Sequence, residues 1–194
     1  FQVPESLLTH LPVFAQDELS EVPSFQDRDG FMFIGNFYHE PNWDAIRFLK
    51  VTIWPKIRKV LPKAILNVYG AYPSQKVRDF HNPKEGFLVH GRAENAIEVT
   101  LKSKVSLAPL RFGAGIKGKL LEAMVSGTPS VTTLVGAEAM AKPNEWSGVA
   151  TDNIDDFVEA AVNLYTDEVV WMKAQSLGYK ILKDNAETLE DWRA

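Results

Sequence analysis

The sequence contains no cysteine and only 4 histidines in 194 residues. Disulfide frameworks and thiolate-bound zinc are therefore excluded, and His10, His39, His81 and His90 are scattered without metal-ligand spacing. Redox chemistry accordingly gives no information on compartment. An excess of positive charge is also lacking: 21 Lys+Arg stand against 25 Asp+Glu, a formal net charge of -4. Such a chain carries no basic field able to hold a nucleic acid, although a local anion site stays open. No apolar run approaches the roughly 20 residues that span a bilayer, and no basic-then-apolar leader opens the chain. Internal repeats and low-complexity tracts are missing as well, which excludes solenoids and compositional tails. What remains, at 45% hydrophobic and 24% charged, is enough for one well-buried soluble domain and too little for two. The chain opens on Phe1 rather than Met, and the expectation is a piece excised or processed from something longer.

Residues 1–28 carry Pro4, Pro12 and Pro23 with Asp17, Glu18, Glu21 and Asp27 between them, and show no sustained period. They read as a linker or packed-on arm, with the domain proper over 29–194. From Gly30 onward short apolar runs alternate with amphipathic stretches. Candidate strands are Phe31–Gly35, Ile65–Gly70, Gly86–His90, Val105–Leu110, Ser130–Thr133 and Val149–Thr151. Ile46, Leu49 and Ile53 line one face of a first helix, with Asn42 or Asp44 as its cap and Pro55 expected to kink or restart it. Two further stripes follow, Ile154, Phe157, Val158, Ala161 and Tyr165, then Val170, Ala174, Leu177 and Ile181. This alternation predicts an open α/β layer fold, a parallel sheet of about six strands with helices on both faces. Ligands in such folds sit beyond the carboxyl ends of the strands.

The most informative stretch runs from Val105 to Thr133, VSLAPLRFGAGIKGKLLEAMVSGTPSVTT: strand, glycine-rich loop, helix, strand. Gly113, Gly115 and Gly118 precede the amphipathic Leu120, Leu121, Met124 and Val125. Glycine there lets backbone N–H groups approach a ligand, and a helix N-terminus adds unpaired donors and partial positive charge. Arg111, Lys117 and Lys119 put three cations in the same loop, with no acid until Glu122. The combination points to a phosphate or diphosphate, and a ligand phosphate near Lys119 would bring a neighbouring ribose near Glu122. The same glycines also serve a plain turn, and Lys119 with Glu122 also reads as an intrahelical ion pair worth a few tenths of a kcal/mol. The glycines formally give G-x-G-x-x-G, but after the fourth strand rather than the first, so a nicotinamide-binding reading is weak.

The segment APLRFGAGIKGKLLEAMVSGTPSVTT resembles the donor-binding signature of retaining glycosyltransferases of family 4, which have the two-domain GT-B fold. FIGNFYHEPNWDAIRFL at 33–49 is similar to the opening strand, loop and helix of the same domain in a bacterial subgroup. ILNVYGAYP at 65–73, FLVHGRAEN at 87–95 and TTLVGAEAM at 132–140 match in the family's order. The resemblance implies a C-terminal Rossmann-like domain that holds a nucleotide-diphosphate sugar and faces an acceptor domain that this chain lacks. Glu122 matches the glutamate that hydrogen-bonds the nucleotide ribose, and Gly115 and Ile116 match positions whose backbone N–H groups meet the donor sugar. His90, Gly91 and Arg92 fall where the base is held, Arg92 reading equally as a surface ion-pair partner. Gly35 and Asn36, at the end of the first strand, join the expected nucleotide-sugar contacts.

Two departures qualify the match. Where the family commonly carries an earlier glutamate for the sugar hydroxyls, the matching position is Ala114. Where it commonly carries an Arg and a Lys after the first strand, the loop here reads Asn36, Phe37, Tyr38, His39, Glu40, Pro41. Lys117 and Lys119, helped by Arg111, are therefore expected to stabilise the diphosphate. The implied reaction moves a sugar to an acceptor hydroxyl with retention, without a metal or other cofactor, the fragment being inactive alone. The implied partners are the donor and, through the missing domain, a sugar or glycoconjugate acceptor, in the cytoplasm or at the inner face of the membrane. Competing readings are a non-catalytic nucleotide- or phosphate-binding module, a nucleotide-sugar epimerase relative, and an interaction domain using Trp43, Trp54, Phe37 and Tyr38, residues that equally suit a core.

Overall fold

The computed structural model describes residue 19 and residues 21–193, with the side chains of the last helix described as far as Asp184. Six parallel strands form one sheet in the order β3-β2-β1-β4-β5-β6. They are β1 (Phe31–Ile34), β2 (Leu66–Tyr69), β3 (Phe87–Gly91), β4 (Val105–Ala108), β5 (Ser130–Thr132) and β6 (Gly148–Ala150). Each of the six expected strands is present, shifted at its ends by a residue or two. The helices are α1 (Glu40–Phe48), α2 (Trp54–Val60), α3 (Gln75–Arg78), α4 (Ala96–Lys102), α5 (Gly118–Val125), α6 (Leu134–Ala137), α7 (Ile154–Thr166) and α8 (Glu168–Arg193).

Both sheet faces are covered, which is why the central strands are apolar without alternation. On one face Ile46, Leu49, Ile57, Phe157 and Ala161 of α1, α2, α7 and the turn between α1 and α2 join Phe31, Phe33, Leu66, Val68 and Leu107. On the other, Leu120, Met124 and Ile181 of α5 and α8 pack with Ala108 and Trp146. Three deeply buried tryptophans satisfy their indole N–H groups. Trp54 donates to the Glu85 carbonyl at 2.7 Å, Trp171 to the Lys104 carbonyl at 2.7 Å and Trp146 to Ser130 Oγ at 3.0 Å.

Two local expectations are corrected and one is met. Neither Asn42 nor Asp44 caps α1: the N-cap is His39, and Pro41 lies in the first turn, where its missing N–H costs nothing. Pro55 restarts the helix as expected: it lies in the first turn of α2, after Leu49–Ile53 has widened into a π turn in which the Trp54 N–H reaches back to the Leu49 carbonyl. The wider turn relieves the clash a proline ring makes with the preceding turn of an α-helix. On α8 the buried stripe is Trp171, Ala174 and Ile181, whereas Val170 of the expected stripe is 41% exposed. The α7 stripe holds, with Phe157, Val158 and Ala161 buried.

Most of the expected arm, residues 1–18 and 20, lies outside the described residues. Its final stretch packs on the domain. Phe25 is buried edge-on against Trp171, and Arg28 is buried with Nε donating to the Pro23 carbonyl at 2.9 Å. The Arg28 guanidinium also donates to Thr128 Oγ1 at 2.6 Å and to the Ser126 carbonyl at 2.8 Å, at the far end of α5. Burial lowers its pKa to about 10, with Tyr179 acting in the opposite sense.

Candidate functional site

β1 and β4 are neighbours whose connections leave in opposite directions, which opens a crevice at the carboxyl edge of the sheet. A cleft of about 340 Å³ lies there. Its floor is small: Gly35 and Asn36 follow β1, and Gly70 and Ala71 follow β2. Arg92, Ala93 and Ala96 close one side, and Asn42, Lys119 and Glu122 the other.

The floor is small because the backbone leaves no choice. A Cβ on Gly70 would stand 2.2 Å from the Gly35 carbonyl oxygen and 2.3 Å from the Phe37 ring, and one on Gly35 would stand 2.8 Å from Asn42 Cγ. The loops are cross-linked by backbone bonds, Gly35 N–H to the Tyr69 carbonyl and Phe37 N–H to the Ala71 carbonyl, each at 3.1 Å. Asn42 uses both ends of its amide. Nδ2 donates to the Asn36 carbonyl at 2.8 Å, and Oδ1 accepts from Lys119 Nζ.

Lys119 and Glu122, one turn apart on α5, both face this cleft. The ammonium of Lys119 also lies 4.8 Å from the centre of the Phe33 ring. Burial lowers its pKa to about 8; Glu122 raises it and Lys117 lowers it further. Glu122 shifts the opposite way, upward by burial and restrained by Lys119. The cleft thus holds one cation short of solvation and one carboxylate reluctant to ionise, and both gain from a ligand that supplies an anion and hydroxyl groups.

Of the residues singled out in the sequence, Gly35, Asn36, Arg92, Lys119 and Glu122 line this cleft, while Arg111, Gly113, Gly115, Ile116, Lys117 and Gly118 do not. Arg111 donates from two guanidinium nitrogens to both carboxylate oxygens of Asp44, the Nε bond at 2.8 Å, and lies over the Phe48 ring. Lys117, the N-cap of α5, turns its ammonium back to the Gly115 carbonyl. Gly113, Gly115 and Gly118 are exposed above α5, and Ile116 packs beside the second core cluster. His90 points elsewhere, stacking on Tyr69 and bonding Asn67 Oδ1 at 2.8 Å. Asn42, Gly70, Ala71, Ala93 and Ala96 were not anticipated. The signals for them were Pro41, which fixes the helix start so that Asn42 faces inward, and the small residues closing the strand at Gly70 and Ala71.

A family model described as glycosyl transferases group 1 matches residues 28–167. The chain belongs to this family. No curated protein matches it. Among solved structures, S. aureus TarM, in a mutant form with fondaparinux, alpha-GlcNAc-glycerol and UDP, superposes at a TM-score of 0.70 and 14% identity over 92% of this chain and 37% of that one. WaaG, a glycosyltransferase involved in lipopolysaccharide biosynthesis, gives 0.68 at 16% identity over 94% of this chain and 54% of that one. The pneumococcal O-GlcNAc transferase GtfA in complex with UDP and GlcNAc gives 0.54 at 18% over 93% and 38%. At these identities the likeness is one of fold, that of a Rossmann-like unit of GT-B glycosyltransferases. The chain spans 37 to 54% of the length of these three structures. Among the described residues, no helix is long and apolar enough to cross a membrane, and no three His, Cys, Asp or Glu gather as a metal site.

Proposed function

We propose that the cleft is the donor site of a retaining family 4 glycosyltransferase, in the C-terminal domain of a GT-B enzyme, and that it binds a nucleotide-diphosphate sugar. The observation that carries this reading is the placement of Lys119 and Glu122 on one face of α5, inside a crevice at the point where the strand order reverses. Glu122 accepts from the ribose hydroxyls, Arg92 lies beside the base, and Lys119 with the N-terminal N–H groups of α5 meets the diphosphate. Gly115 and Ile116 offer backbone N–H groups to the sugar, above the lining of the present cleft. Arg111, engaged with Asp44, drops to an indirect role.

In transfer, the bond between the anomeric carbon and the diphosphate oxygen breaks and one to the acceptor oxygen forms. The acceptor hydroxyl loses its proton, and negative charge grows on the leaving diphosphate. A fixed cation and helix N–H groups stabilise that charge most where it develops. In this reading the diphosphate is neutralised by side chain and backbone, without a metal or other cofactor. The acceptor, a sugar or glycoconjugate hydroxyl, is presented by a second domain, as suits bacterial polysaccharide or glycoconjugate synthesis in the cytoplasm or at the inner membrane face. The chain alone is expected to bind nucleotide and transfer no sugar.

Calorimetric titration with UDP, GDP and ADP tests the site. One diphosphate is expected to bind, with Lys119→Ala weakening it by about 1.5–3 kcal/mol, the scale of a charge-assisted hydrogen bond. Equal affinity in wild type, Lys119→Ala and Glu122→Ala would remove this cleft from the donor site.

A further inference from the structure

At the lip of the cleft, Tyr38 and Tyr72 stack on one another in open solvent. Their ring centroids are 4.5 Å apart with an interplanar angle of 19°, and they are 77% and 60% exposed. They come from different loops, Tyr38 following β1 and Tyr72 following β2. Each is tied to a residue that lines the cleft, Tyr38 through its N–H to Asn36 and Tyr72 as the neighbour of Ala71 in the chain.

The stack is held before any ligand arrives. The Tyr38 N–H donates to Asn36 Oδ1 at 2.9 Å, and the Phe37 N–H ties the first loop to the Ala71 carbonyl of the second at 3.1 Å. Tyr72 sits at φ 56°, the left-handed region that a bulky side chain adopts only at a cost. That backbone turn is what brings its ring over Tyr38. Strain spent to hold an exposed aromatic pair has no return from the protein's own core, since neither ring is buried.

We infer that the Tyr38–Tyr72 ledge is a subsite for a pyranose ring of the acceptor, at the entrance to the donor cleft. Exposed polar residues follow each ring closely in the chain, His39 and Glu40 after Tyr38, and Ser74 and Gln75 after Tyr72. A pyranose matches that layout: its C–H faces carry slight positive charge and suit the negative face of an aromatic ring, and its equatorial hydroxyls reach a polar rim. A protein partner calls for a broader apolar patch than two rings supply. A nucleobase calls for a slot closed on both faces with edge donors, whereas this ledge is open. The inference rests on the donor-cleft reading for the direction from which the sugar is attacked.

The test is a chemical-shift titration of the 15N-labelled chain with the methyl pyranosides of glucose, galactose, mannose and N-acetylglucosamine, with UDP titrated into parallel samples. The variants are Tyr38→Ala, Tyr72→Gly and Glu122→Ala. Tyr72→Gly removes the ring while its backbone relaxes, since glycine adopts this φ freely. At least one pyranoside is expected to shift amides of the two loops, with binding weakened about three- to tenfold in either tyrosine variant. UDP affinity should be unchanged in those two variants and reduced in Glu122→Ala. No loop shifts with any pyranoside, or equal sugar binding in wild type and both tyrosine variants, would overturn the inference. Loss of UDP binding in the tyrosine variants would also overturn it, by assigning the rings to the nucleotide. UDP failing to bind wild type while a pyranoside still shifts the loops would overturn the donor reading and leave the ledge standing.

Discussion

Two groups of glycines meet at this site for opposite reasons. Gly35 and Gly70 are hemmed in, so that a methyl group on either collides with Asn42 or with the Gly35 carbonyl and Phe37. Gly115 and Gly118 are open, with nothing within 4 Å of where a Cβ would stand. Gly115 at least needs its φ of +73°, but Gly118, the first residue of α5, has neither a crowded neighbour nor a left-handed backbone. The first pair is explained by the protein's own packing. Gly118 has no such explanation, and in the proposed donor site a ligand lying against the helix N-terminus would supply one. A glycine-rich motif in a sequence therefore mixes residues required by the fold with residues whose reason lies outside it.

Substitutions at the two groups separate these reasons, beginning with the largest effect. Gly70→Ala should destabilise by about 2–4 kcal/mol, because the obstructing atoms are backbone and a buried ring, read as the midpoint of chemical denaturation. A shift below about 0.5 kcal/mol would show that the two loops part easily. Gly118→Ala should leave the fold intact or stabilise it by up to about 1 kcal/mol through helix propensity, while nucleotide affinity falls at least about threefold. Improved stability with unchanged affinity would return Gly118 to the class of ordinary turn residues.

The titration of Lys119 sharpens the same contrast. Its pKa is about 8 in the free protein, and a bound diphosphate must raise it. Nucleotide affinity should accordingly be full below about pH 8 and decline as pH rises above it, with proton uptake on binding seen as a buffer-dependent calorimetric heat. The stability of the free protein should move the other way. Between about pH 8 and the ordinary lysine value of 10.5 the unfolded chain binds the extra proton, so unfolding becomes harder as pH rises, and Lys119→Met should flatten that slope. The smallest expected effect belongs to Asp44→Asn. The Arg111 side chain is 50% exposed, and loss of the pair should cost less than about 1 kcal/mol by thermal unfolding.

Six strands and their parallel connection were legible because strands buried on both faces read as short apolar runs between turns. Helix α5 was legible from its own period, with Leu120 and Met124 turned into the core and Lys119 and Glu122 on the arc that lines the cleft. Cation partners were not legible. Nothing in the spacing shows that Arg111 meets Asp44, because that contact depends on a loop after β4 and a helix after β1, from distant parts of the chain, leaving adjacent strands. Asn42 was misread as a cap because its residue type suits one, while its real use, bracing Lys119 against the Asn36 carbonyl, exists only in three dimensions. Among the aromatics, Trp54 and Phe37 went to the core, as their type favours, and Tyr38 did not.

Arg28 gives α5 a mechanical character. The helix is a rod of about 12 Å, gripped at its carboxyl end by a guanidinium on the Ser126 carbonyl and Thr128, and bearing Lys119 at its amino end. The stretch that delivers Arg28 also wedges Phe25 against Trp171 of α8. One buried guanidinium thus ties the chain at Pro23 to the end of α5 opposite the one that faces the cleft.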